Sequence, residues 1–92
     1  MKGKRDRLEV IFDILSIIKK NDGCIKPTPL LRFSNLSYYT FNRYFDDLIS
    51  KNFIEEVLDN KGKKQIKITN KGEEYLQTYK SIRSFIQEFD LE

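Results

Sequence analysis

The chain has 92 residues, 39% hydrophobic and 34% charged, with a net charge of +3, one cysteine and no histidine, which describes one small domain whose core is only just sufficient. A lone cysteine excludes an internal disulfide, and the lack of histidine excludes histidine base catalysis and the usual zinc sites within one chain. The longest apolar-dominated stretch, Leu8 to Ile18, is interrupted by Glu9, Asp13 and Ser16; with no membrane span and no cleavable signal pattern, a soluble cytoplasmic protein is expected.

In chain order, the first predicted helix runs from about Arg5 to Asn21. Leu8, Ile11, Phe12, Leu15 and Ile18 recur at three- and four-residue steps and form its apolar face. Asp22-Gly23 closes it, with glycine supplying the left-handed conformation. Thr28-Pro29 reads as the start of a short second helix, a cap followed by proline at the first position, with Leu30, Leu31 and Phe33 on its buried side. Asn35-Leu36 turns the chain and Ser37 caps a third helix over Tyr38 to Lys51. Phe41, Phe45 and Leu48 share the packing face of this helix, and Tyr39, Arg43, Asp46 and Ser50 point away. Asn52 follows as a left-handed closing residue.

Ile54–Leu58 and Gln65–Ile68 read as two strands, because Ile66 and Ile68 alternate with Gln65 and Lys67. Asn60, Gly62 and three lysines occupy the turn between them. Thr69 caps a last helix that reaches about Phe89. Tyr75, Tyr79, Ile82, Ile86 and Phe89 step by four, three, four and three, a heptad seam suited to packing lengthwise on a partner. Leu76 and Phe85 lie beside the seam and are expected to face the chain's own body.

Helix, turn, helix and basic hairpin in that order predict a mainly α fold with a small β-hairpin. This is a winged helix-turn-helix in residues 1–68, followed by a C-terminal dimerisation helix in 69–92. The exposed side of the third helix offers Tyr38, Tyr39, Thr40, Asn42 and Arg43 to a duplex. Arginine pairs with guanine, asparagine with adenine, and hydroxyls reach phosphate. Lys61, Lys63 and Lys64 in the wing and Lys4 and Arg5 at the start add charge for the backbone. Residues 1–71 carry 15 Lys/Arg against 9 Asp/Glu, and residues 72–92 carry 2 against 5, so a basic body precedes an acidic tail. Each feature also has a plainer reading. Hairpin lysines protect a sheet edge, and any amphipathic helix has a solvated side.

A catalytic constellation is missing. Asp46/Asp47 on a helix and Glu55/Glu56 on a strand are adjacent pairs whose members diverge, so neither converges on one reacting atom. There is no phosphate-cradling glycine loop. No enzyme activity, metal or cofactor is expected.

Leu36-Ser37-Tyr38, the Phe41/Phe45/Leu48 face, Leu48-Ile49-Ser50-Lys51-Asn52-Phe53-Ile54-Glu55 and Ile68-Thr69-Asn70-Lys71-Gly72 carry a resemblance. They resemble the small archaeal winged-helix proteins regarded as transcriptional regulators, as does the basic segment Lys2 to Arg7. The resemblance covers nearly the whole chain. It implies a chromatin-associated, DNA-binding homodimer held by an antiparallel coiled coil of the last helix. Tyr75, Tyr79, Ile82, Ile86 and Phe89 would form the dimer interface. The expected function is binding of double-stranded DNA, specific or sequence-tolerant, in transcription regulation or nucleoid organisation. The rival reading gives the same surfaces to protein contacts in a larger assembly.

Overall fold

A computed structural model describes residues 5–91. Helix α1 is Arg7–Lys20. It begins two residues later than the apolar spacing suggests because Asp6 and Glu9 form a capping box: Asp6 Oδ1 accepts from the Glu9 amide at 2.8 Å, and Glu9 Oε1 accepts from the Asp6 amide at 3.4 Å. Val10, Ile11, Ile14, Leu15 and Ile18 are buried and make α1 the centre of the core. Asp22 at φ 62° and Gly23 at φ 83° then reverse the chain.

Those two residues lead into a strand that the sequence reading missed. Strand β1, Cys24–Ile25, pairs antiparallel with a later strand through Cys24 opposite Lys67 and Ile25 opposite Ile66. Two residues are too few to show an alternating pattern. The sheet therefore has three strands rather than two.

Helix α2 is Pro27–Ser34, with Pro27 at its first position and no side-chain cap. Thr28 lies inside the first turn and does not cap it, and Pro29, expected at the first position, is third. Pro27 takes the first position, where its missing N–H costs no bond, so the helix starts two residues earlier than Thr28-Pro29 suggests. Leu30 and Ser34 are buried, whereas Phe33, expected inside, is 62% exposed. Leu30, Leu31 and Ser34 define the inner face, and at 100° per residue Phe33 lies about a third of a turn away from it. Ser34 is satisfied by donating to the Leu31 carbonyl at 2.7 Å and accepting from the Leu36 amide at 3.3 Å.

Asn35 adopts the left-handed conformation, and Ser37 caps α3, Tyr38–Ser50, by accepting from the Thr40 amide at 3.2 Å. Phe41 and Leu48 enter the core, with Tyr44, Phe45 and Ile49 packed against it. Asn52 at φ 63° ends this unit as its residue type suggests. Strands β2, Ile54–Leu58, and β3, Lys64–Ile68, pair with Glu56 opposite Ile66, and the sheet order is β1-β3-β2. The central strand supplies buried Ile66 and Ile68.

Helix α4, Asn70–Glu88, starts at a junction built by Thr69. Its Oγ1 accepts from the Gly72 amide at 3.1 Å and donates to the Asn52 carbonyl at 2.6 Å. The first half of α4 lies on α1. Leu76 is buried, Tyr75 donates its hydroxyl to the Leu8 carbonyl at 2.7 Å, and the Tyr79 ring stacks on Phe12 at 4.4 Å. Lys19 and Glu73 pair at 3.1 Å beside them. The second half leaves the body, giving the molecule extents of 49 × 26 × 21 Å. Phe85, expected to face inward, is exposed there and meets Phe89 edge-on at 4.9 Å. No helix among the described residues is long and apolar enough to cross a membrane.

Candidate nucleic-acid interface

The first turns of α3 present Tyr38 and Tyr39, each 71% exposed. The Arg43 guanidinium lies 5.9 Å from the Tyr39 ring centre, a cation–π contact that holds both side chains over the helix surface. Thr40 and Asn42 are half-buried beside them. Ser37 fixes this end of the helix, since its hydroxyl donates to Thr40 Oγ1 at 3.0 Å as well as capping the amide.

The two adjacent aspartates of α3 go to different sides. Asp46 lines a groove with Ser50, Glu55 and Glu56, toward β2. Asp47 lines an open depression of about 390 Å³ with Arg7, Thr40, Arg43 and Tyr44. Its Oδ2 accepts from the Arg7 guanidinium and its Oδ1 from the Lys51 ammonium. The Lys51 hydrogen bond, with the charges of Lys51 and Arg7, holds the Asp47 carboxyl below the usual carboxylate range despite partial desolvation. It is therefore ionised and already neutralised.

A second basic group forms at the wing. Lys61 and Lys63 line a shallow depression with Lys26, Asp59 and Asn60. The Asp59 carboxylate is tied into the turn, accepting from the Lys63 amide at 2.8 Å and the Lys61 amide at 2.9 Å. Those backbone donors, Lys63 first, lower its pKa. Lys64 points instead toward Glu56, at 3.8 Å. The two depressions share no lining residue.

The remaining expected site residues divide. Arg5 bridges three segments, donating to Asp13 at 2.7 Å and to the Ser34 carbonyl at the end of α2 at 3.0 Å. Lys4 lies outside the described residues. Of the seam, Tyr75 and Tyr79 are half-buried against α1, while Ile82 and Phe89 are exposed and Ile86 is intermediate. Burial raises the Tyr75 phenol to about 12, with Tyr79 and Asp6 adding to the shift, and burial also raises Tyr79.

Sequence reasoning missed Arg7, Tyr44, Lys51 and Lys26. Tyr44 and Lys51 had a signal, because Thr40, Arg43, Tyr44, Asp47 and Lys51 lie three and four apart along one side of α3 and its cap. Arg7 had none, since it reaches Asp47 from α1. Lys26 had none, since only the pairing of β1 with β3 brings it to the wing.

Comparison with known proteins agrees with this architecture. Residues 4–87 match the winged helix-turn-helix family. An uncharacterized protein of Methanocaldococcus jannaschii is 41% identical over 69 residues, which are 75% of this chain and 64% of that protein's length. Among solved structures, Sso10a-2, a DNA-binding protein from Sulfolobus solfataricus, superposes with a TM-score of 0.72 at 20% identity, covering 92% of this chain and 85% of that one. A winged-helix DNA-binding protein from STIV gives 0.70 at 19% identity, covering 86% and 90%. With the helices α2 and α3 joined by a turn, the hairpin β2–β3 that β1 extends to three strands, and the closing helix α4, the chain belongs to the winged helix-turn-helix family.

Proposed function

We propose that the protein binds double-stranded DNA as a homodimer and acts in transcription regulation or chromosome organisation. The observation that carries the reading is the exposed N-terminal half of α3. Among the described residues, Tyr38, Tyr39 and Arg43 stand exposed on the surface. In helix-turn-helix docking this is the segment that approaches base edges. The wing lysines Lys61 and Lys63, joined by Lys26, would lie along the backbone and supply affinity without sequence preference. The DNA-binding descriptions of the two structural neighbours support the same reading.

Residues 69–92 would form the dimerisation element. Ile82, Phe85, Phe89 and Leu91 are each about half exposed or more. A contiguous apolar stripe of this kind on a small domain usually marks an interface. A second reading, docking to a protein partner, is favoured by the groove between α3 and β2. Phe45, Ile49 and Ile54 form its apolar floor, and Asp46, Glu55 and Glu56 supply carboxylates that would repel DNA.

Salt separates the two readings. Binding to random duplexes should weaken steeply between two salt concentrations, with a linear relation of log affinity to log salt. On a selected site, Arg43→Ala should cost ~1–3 kcal/mol of discrimination. Duplex affinity that does not respond to salt, or an Arg43→Ala variant with unchanged preference, would remove α3 as the reader.

A further inference from the structure

We propose that the depression bounded by Arg7, Thr40, Arg43 and Tyr44 is a seat for one phosphate group, and that Asp47 positions Arg7 for it. Thr40, Arg43, Tyr44 and Asp47 occupy i, i+3, i+4 and i+7, so one helix edge offers two hydroxyls, a guanidinium and a carboxylate. The opposite wall comes from a different element, Arg7 at the first position of α1, whose start is fixed by the Asp6 cap.

A carboxylate in an anion seat looks like a contradiction. The charges resolve it. Asp47 pairs with Arg7 and, outside the depression, with Lys51, while Arg43 lines the same depression, so its walls carry two guanidiniums against one carboxylate that Lys51 also neutralises. The excess is positive. Asp47 is also the less accessible partner: its side chain is 25% exposed, against 60% for Arg7 and 45% for Lys51. Its contact with Arg7 engages one nitrogen of a group that carries five N–H donors in a planar fork. The remaining donors suit a phosphate, and a guanidinium already held in place loses less freedom on engaging one. The neighbouring acid Asp46 faces the other groove, and the Asp6 carboxylate is occupied at the start of α1.

Two sources carry the same chemistry, the backbone of a bound duplex and a free phosphorylated small molecule. The first rests on the DNA-binding reading; the second does not. The depression, about 390 Å³, falls in the size range of small-ligand sites and exceeds what a lone phosphate fills.

The test uses the full chain and begins without DNA. Titration with inorganic phosphate, followed by the amide signals of Thr40, Arg43 and Tyr44, should give a saturable shift confined to this region. Arg7→Gln and, separately, Arg43→Gln should abolish it. Asp47→Asn keeps the shape and frees Arg7, so it should weaken phosphate binding. Stronger binding in Asp47→Asn would mean that Asp47 merely opposes anions, and the positioning role would fall. A second arm measures affinity for a mixed-sequence duplex against salt. If the phosphate belongs to the backbone, Arg7→Gln should lower the slope of log affinity against log salt by roughly 0.9. If phosphate binds but that slope is unchanged, the seat serves a free phosphorylated compound, and DNA binding stands or falls on the unmodified protein's own slope. No saturable phosphate shift, together with an Arg7→Gln slope equal to the original, would overturn the proposal.

Discussion

Gly72 shows how a single residue can set the geometry of the whole molecule. A Cβ there would sit 2.3 Å from the Phe53 carbonyl oxygen and 2.8 Å from an Ile68 side-chain carbon. The first neighbour is backbone and cannot step aside. Gly72→Ala should therefore destabilise the fold by ~1–3 kcal/mol, as overpacking does. Thermal unfolding would check it, and an unchanged midpoint would mean that the α4 junction is looser than described. Tyr75 makes a different demand. Its phenol is raised to about 12 from an ordinary 10, so the folded state favours the protonated form. That contribution is complete below pH 10 and is lost as pH rises from 10 to 12. Tyr75→Phe should cost ~0.5–1.5 kcal/mol at neutral pH by removing the bond to Leu8. The variant should also lose stability less steeply over that alkaline window, which denaturant titrations at several pH values would reveal. The caps Ser37 and Thr69 and the closing Asn52 were legible in the sequence because each acts on its immediate neighbours. The pairing of Arg7 with Asp47 was not, since it joins residues forty apart.

Among the elements, helix α3 was the most legible and the sheet the least. A 13-residue helix states its period several times, whereas the two residues of β1 state none. Once β1 is in place, Lys26 stands beside the hairpin turn and the wing becomes a group of lysines drawn from two segments. They are not equivalent. Lys64 is engaged with Glu56, which leaves Lys61 and Lys63 better placed for a polyanion. A Lys61/Lys63/Lys64 triple alanine variant should fold normally and lose about two phosphate contacts' worth of salt dependence. The slope should fall by roughly 1.8. An unchanged slope would assign these lysines to protection of the sheet edge.

At the scale of the whole molecule, the heptad seam splits at Tyr79. Tyr75 and Tyr79 serve the chain's own packing, and the apolar residues beyond them are left for the proposed dimer. Periodicity alone could not show this division, because one stripe can meet two partners in succession. Ile82→Asp should yield a folded species of 11.0 kDa in sedimentation, with weaker duplex binding because two linked half-sites act at high effective concentration. If the unmodified protein already sediments as that monomer at high concentration, the exposed stripe is not a self-association surface.

The anchoring of α4 on α1 also fixes the rotational phase of everything beyond it. Lys19–Glu73, Tyr75–Leu8 and Tyr79–Phe12 clamp the first half at three points, so the overhang behaves as a keyed shaft. Inserting two residues after Tyr79 would turn the apolar stripe by about 200°, nearly to its opposite side, whereas seven residues would return it to within about 20° while extending the shaft by about 10 Å. The first insertion should abolish the proposed self-association and the second preserve it. Any spacing between paired DNA half-sites would then be a length written into one helix, adjustable in steps of seven residues and intolerant of most others.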